Sequence, residues 1–171
     1  MTTVEFEVVE NNIDAVKESI QQLDGAKAQA GIWSDEDGFQ AMKAIVHERG
    51  VTIEVTEAMR GFFLANFGVR LRDDTNVIEI PPRPFVEPGI RENIDEYSDI
   101  IEAMLGQVVV GDSSPKKMLT TIAERMASNI RKELGEHGPP LSGLTIQAKG
   151  SAEPLVDTGR LRQAIRSQVD I

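Results

Sequence analysis

Cysteine is absent from this sequence, which removes disulfide frameworks, thiolate zinc sites and thiol nucleophiles from consideration together. Also missing is any apolar run near the ~20 residues needed to cross a bilayer. The opening Met1-Thr2-Thr3-Val4-Glu5 lacks the basic and then apolar layout of a secretory signal. These absences lead us to expect a protein made in the cytoplasm, with no membrane contact. Basic charge is also in short supply: 28 acidic against 18 basic side chains leave a net charge of -10. The excess sits mostly in residues 1–90, with 16 acidic and 8 basic side chains, against 12 and 10 in residues 91–171. Such a surface repels a phosphate backbone, so sequence-reading nucleic-acid binders are disfavoured, although a surface past which DNA slides is not.

With 171 residues the chain is long enough to bury a core without staples. Val4, Phe6 and Val8 alternate with Glu5 and Glu7, the period of a half-buried strand. Asn11 and Asn12 offer caps for a helix from about Ile13 to Leu23. Ala28, Ala30 and Ile32 alternate again, predicting a second strand. Ser34-Asp35-Glu36-Asp37 then supplies capping oxygens to a helix whose expected core face is Phe39, Met42, Ile45 and Val46. Val51 to Val55 reads as a strand, and Thr56 caps a helix from Glu57 to Ala65. Val69–Arg72 and Val77–Ile80 flank the polar turn Asp73–Asn76, a hairpin pattern.

At Pro81-Pro82-Arg83-Pro84 the character changes, since three prolines remove ladder donors and hold the backbone extended. Ile90, Ile94, Tyr97, Ile101, Leu105 and Val108 then recur at helical steps, predicting one long amphipathic helix from Pro88. Ser114-Pro115 starts a second, with Met118, Ile122, Met126, Ile130 and Leu134 as its stripe. The expectation is a single α+β domain: a small mixed or antiparallel sheet, with two long helices packed antiparallel on one face. A Pro-rich link covers 81–88 and a long loop covers 136–153.

Asp157-Thr158-Gly159 is the tripeptide that carries a catalytic carboxylate in aspartic proteases. That chemistry needs two carboxylates sharing a proton, and here Leu161 and Ile165 follow at helical spacing. The preferred reading is a helix start with Asp and Thr as capping residues. Gly106 to Ser113 imitates a phosphate-binding loop, but Asp112 stands where that loop needs lysine. His47-Glu48 begins a zincin motif whose second histidine is replaced by Val51. Asp35 to Gly38 lacks the spacing and distal Glu of a calcium loop. No catalytic residue, cofactor or metal is expected.

Arg160, Arg162 and Arg166 form a basic cluster in an acidic chain, either a solvated helix face or a contact for an acidic patch on a neighbouring copy. Phe85, beside Arg83 in the proline segment, is a candidate interface anchor. Its alternative, preferred placement is in the chain's own core. With Thr158 and Gly159 at the turn before the last helix, these seven residues are the candidate interface.

Five segments in order carry a resemblance: His47-Glu48-Arg49-Gly50, Val55-Thr56-Glu57-Ala58-Met59-Arg60, Ile80-Pro81-Pro82-Arg83-Pro84-Phe85, Pro139-Pro140-Leu141-Ser142, and Pro154 to Ile165. Together they resemble the tailed-phage virion-morphogenesis proteins that complete the tail or join it to the head, over about residues 28 to 168. The loops at Ser34–Asp37 and Glu136–Ala152 fall outside the pattern. The resemblance implies a non-enzymatic structural subunit of the virion neck or tail, repeated in a ring. A hexamer is favoured, a dodecamer is the alternative, and connector and tail proteins are the neighbours. DNA passes the lumen without sequence-specific binding. A competing function from another class is an acidic DNA mimic that occupies a DNA-binding enzyme, for which the dense carboxylates are Asp35 to Asp37 and Asp73-Asp74.

Overall fold

A computed structural model describes residues 13–136 and 159–171. The expected strand at Val4–Val8, the caps Asn11 and Asn12, the pair Asp157-Thr158 and the loop from 137 to 153 lie outside those residues. In chain order the elements are α1 (Ile13–Leu23), β1 (Lys27–Gly31), α2 (Gly38–Arg49), β2 (Val51–Glu54), α3 (Glu57–Phe67) and β3 (Val77–Ile80). Then follow α4 (Val86–Arg91), α5 (Ile94–Val110), α6 (Pro115–Glu136), α7 (Arg160–Ala164) and β4 (Arg166–Asp170). The architecture is α+β, with the long helices stacked against small antiparallel sheets.

The strands form two separate pairs rather than one sheet. β1 pairs with β4, from Lys27 opposite Asp170 to Gly31 opposite Arg166. β4 itself is absent from the sequence expectation, because Arg-Ser-Gln-Val-Asp holds one apolar residue and so shows no alternation. The second pair joins β2 to β3, from Val51 opposite Ile80 to Glu54 opposite Val77. This corrects the expected hairpin: β3 exists, but its partner is β2, not Val69–Arg72. Arg60 explains the difference. Its guanidinium donates to the carbonyls of Arg72 at 2.7 Å, Asp73 at 3.4 Å and Thr75 at 2.8 Å. Carbonyls engaged in this way hold the segment as a loop around one side chain.

α6 is the spine. Ser114 Oγ accepts the Lys117 N–H at 3.2 Å and opens the helix as expected. Met118 and Ile122 pack with Tyr97 and Val108 of α5, with Ala28 of β1 beside them. Further along, Ala127, Ile130 and Leu134 pack with Phe85, Leu161, Ile165 and Ala44. The expected stripe of α6 is therefore its core face.

The helix expected to run unbroken from Pro88 is two helices. The side chain of Asn93 donates to the Gly89 carbonyl at 3.0 Å, and the Asn93 N–H bonds to Ile90 at 3.3 Å. An Asn that competes for a helix carbonyl offers the backbone a way out of the ladder, and α5 restarts in a new phase. That change of phase leaves Ile94, Ile101 and Leu105 exposed while Tyr97 and Val108 are buried. Before the break, α4 crosses α6 at Gly89, where a Cβ would lie 2.8 Å from the Ile130 Cα. Only glycine permits that approach.

α2 is turned the other way from the expectation. Phe39, Met42 and Ile45 are exposed, whereas Gln40, Ala41 and Ala44 are buried. The small residues admit close packing against α7, and the same inward side brings Glu48 to the start of α4. There Glu48 Oε2 accepts the N–H groups of Phe85 at 2.9 Å and Val86 at 3.1 Å, and Oε1 that of Glu87 at 3.0 Å. The His47 carbonyl accepts the Arg83 N–H at 2.6 Å. The proline segment is thus clamped along the C-terminal end of α2.

Candidate interface site

The arginine cluster is built on a short, firmly seated element. Leu161 and Ile165 enter the core at 4% and 0% exposure, which turns Arg160 and Arg162 outward on the same helix. Arg131 of α6 donates to the Ile165 carbonyl at 2.5 Å and fixes the bend from α7 into β4. The β1–β4 register then sets Arg166 opposite Gly31, next to Trp33 and the loop that opens α2. A cleft of about 280 Å3 lies between these parts, lined by Trp33, Glu36, Asp37, Arg160, Gln163 and Arg166 among others.

Within the cleft the charges are unequally engaged. Arg166 forms an ion pair with Glu36. Asp37 is committed to the helix start, its carboxylate accepting the Gln40 N–H at 3.1 Å. Arg160 and Arg162 have no acidic partner among the described residues, so they remain the cations that this face presents.

The other candidate residues divide. Phe85 has no exposed surface, and Arg83 is buried as well at 6%. Phe85 thus takes the core placement preferred from the sequence, and Arg83 is an interior residue rather than an interface one, because the clamp from Glu48 and His47 draws the proline segment inward and seats the Phe85 ring among Ile130, Leu134 and Ile165. Thr158 lies outside the described residues. Gly159 takes the N-cap position of α7 at φ 70°, ψ -1°, with no side-chain cap bond. A left-handed residue there is readily supplied by glycine, so the sharp turn ahead of the arginines is a property of Gly159.

Part of each dense acidic run is engaged locally. Asp35 to Asp37 contain the Arg166 partner and the α2 cap, and Asp74 meets Arg72 at 2.8 Å. Gly106 lies inside α5 and Gly111 ends it, so the phosphate-loop lookalike is helix followed by a turn. Among the described residues no group of three His, Asp or Glu side chains is arranged to hold a metal ion. No described helix is long and apolar enough to cross a membrane.

One polar network, built on the buried Tyr97, stands apart from the arginine face. Tyr97 Oη donates to the Gly89 carbonyl at 3.1 Å and accepts from Asn129 Nδ2 at 3.1 Å. Asn129 also donates to Glu96 at 2.9 Å, and Glu96 meets Arg125 at 3.1 Å. Burial pushes the Tyr97 phenol above its ordinary pKa and the Glu96 charge adds to this, against the Asn129 hydrogen bond and the Arg125 cation. The network fastens α4 and α5 to α6.

Sequence reasoning missed Glu48 and Arg60 as organisers, since a long-range side-chain to backbone bond leaves no periodic trace. It also missed that the large apolar residues of α2 point outward and that Ile94, Ile101 and Leu105 of α5 stay exposed. Comparison of the chain with protein-family models, with curated proteins and with solved structures finds no match in any of the three.

Proposed function

We propose that this chain is a non-enzymatic structural subunit of a bacteriophage neck or tail. In this reading it is made in the host cytoplasm and completes the tail, or joins it to the head connector, as a homo-oligomeric ring around the DNA path. The ordered segments that resemble the virion-morphogenesis proteins favour it. The observation that carries it is the distribution of apolar surface. Phe39, Met42 and Ile45 on α2, Phe62 and Leu64 on α3, and Ile94, Ile101 and Leu105 on α5 are all more than two-fifths exposed. Isolated exposed apolar residues are ordinary, but rows of them, as on α2 and α5, are what an assembly subunit shows before its neighbours cover them.

Two further features support the reading. Arg160 and Arg162 offer paired cations to an acidic neighbour, where opposite charge sets register more than affinity. The net charge of -10 suits a lumen that DNA crosses without sticking. A hexamer is favoured, with a dodecamer as the alternative.

Gold-labelled antibody against the protein, applied to purified virions and imaged by electron microscopy, tests the reading. Label at the head–tail junction or the head-proximal end of the tail is expected. Virions that lack the protein, or label confined to capsid or fibres, would overturn it.

A further inference from the structure

We propose that α2 of one copy lies against α5 of the next, so that a single head-to-tail contact links the subunits. This rests on the ring reading above and specifies how the ring is joined. On α2, Phe39, Met42 and Ile45 are 60%, 53% and 58% exposed. Their spacing of three places them along one side of the helix, which also carries Arg49 at its end and Lys43 at its border. The Lys43 ammonium sits 5.0 Å from the Phe39 ring centre, so the apolar row is edged by positive charge.

α5 presents the opposite character. Ile94, Ile101 and Leu105 are 52%, 41% and 41% exposed and, spaced by seven and four, share one side. Asp95 and Glu102, seven apart and both exposed, border that row with negative charge, and neither has a basic partner among the described residues. On α2 the row faces away from the buried side, which is Ala41 and Ala44, whereas on α5 it is the exposed flank beside the buried Tyr97 and Val108. The two helices belong to different core clusters. Ala44 packs over the Ile130–Leu134 half of α6, and Tyr97 and Val108 pack over the Met118–Ile122 half. One copy therefore offers two distinct faces.

Charge selects the pairing. Packing α5 on α5 sets Asp95 and Glu102 against themselves in a protein already at -10, and packing α2 on α2 sets Lys43 and Arg49 against themselves. Only α2 on α5 covers both apolar rows while opposing unlike charges. A contact between two different patches is heterologous, the kind that closes into a ring when its rotation permits.

The test uses the full chain in two variants, Lys43→Glu with Arg49→Glu, and Asp95→Lys with Glu102→Lys. Circular dichroism and the unfolding midpoint check that each remains folded. Mass photometry and analytical ultracentrifugation read the assembly. The wild-type chain is expected to form a closed oligomer, and each variant alone to lose at least tenfold in association. An equimolar mixture should regain it, because each acidic α2 then meets a basic α5 and each unchanged α2 an unchanged α5. Loss in only one variant, or no recovery on mixing, overturns the head-to-tail contact. An oligomer indifferent to both reversals overturns this interface while leaving the ring standing. A wild-type chain that stays monomeric at every concentration overturns the interface and the ring together. Placement of the protein in the virion is read separately by the gold label.

Discussion

The carboxylate of Glu48, at the end of α2, accepts the Phe85 backbone N–H at 2.9 Å across 37 residues of sequence. The same carboxylate takes the next two N–H groups as well. α4 has no side-chain cap of its own, and its first turn would otherwise leave donors without partners. A negative group at that end also meets the positive end of the helix dipole. Glu48 therefore does from a distance what a local Ser or Asp does elsewhere, and by doing so sets Phe85 in the core. Glu48→Ala is expected to cost about 2 kcal/mol and Glu48→Gln about 1 kcal/mol, since the amide keeps one acceptor. Urea unfolding of the two variants measures both. A Glu48→Ala protein as stable as the parent would mean that the segment is held by its prolines alone.

Two glycines in helices should respond with opposite signs to the same substitution. At Gly89 an added methyl lies 2.8 Å from the Ile130 Cα and 3.1 Å from its nitrogen. The gain in helix propensity is about 1 kcal/mol, while forcing two backbones apart costs ~1–3 kcal/mol. Gly89→Ala is thus expected to destabilise. At Gly61, inside α3, nothing lies within 4 Å of the methyl, so Gly61→Ala should stabilise by up to about 1 kcal/mol. Thermal or denaturant midpoints decide, and equal shifts for the two would contradict the close crossing of α4 over α6.

Much of this fold was legible because helices advertise themselves. The spacing of Met118, Ile122, Ile130 and Leu134 marks both the existence and the inward face of α6, and Thr56 and Asp37 cap their helices as their chemistry predicts. Orientation was harder. In α2 the larger apolar residues point outward, because burial there is decided by how closely α7 and the 83–87 backbone approach, which favours Ala41 and Ala44. β4 was illegible for a related reason: its place in the sheet follows from β1 beside it and from Ile165 before it, not from its own alternation. Of the candidate site, the outward arginines could be read from the Leu161–Ile165 spacing and the core was the preferred place for Phe85, whereas the burial of Arg83 depends on the clamp around the proline segment, to which Glu48 brings no periodic signature.

The Tyr97 phenol gives stability a dependence on alkaline pH. Burial raises its folded-state pKa above the ordinary value near ~10. The folded protein therefore holds this proton more tightly than the unfolded chain. Its contribution is fully present below the unfolded value and declines as pH rises from there through the folded value. Tyr97→Phe should remove that decline while losing about 1 kcal/mol at neutral pH, where the hydroxyl's bonds to Gly89 and Asn129 are broken. Urea unfolding of both proteins between about pH 8 and 11 should show the gap between them narrowing as pH rises. A gap that stays constant would place the hydroxyl in contact with water.

Arg160 and Arg162 stand one residue either side of Leu161, and that alternation separates assembly from stability. Leu161 is 4% exposed and packs in the main core, so Leu161→Ala should cost ~2–5 kcal/mol. The two arginines are exposed and unpaired among the described residues, and reversing both to Glu should move stability by no more than about 0.5 kcal/mol. If they register the subunit on an acidic neighbour, that reversal should still cut the yield of infective particles at least tenfold in a phage complementation assay. Arg160→Lys with Arg162→Lys, which keeps the charge and loses the planar fork, should restore most of it. Reversal variants that fold normally and support full particle yield would show that this face meets only solvent, and the contacts of the ring with its neighbours would then have to be sought on the apolar rows instead.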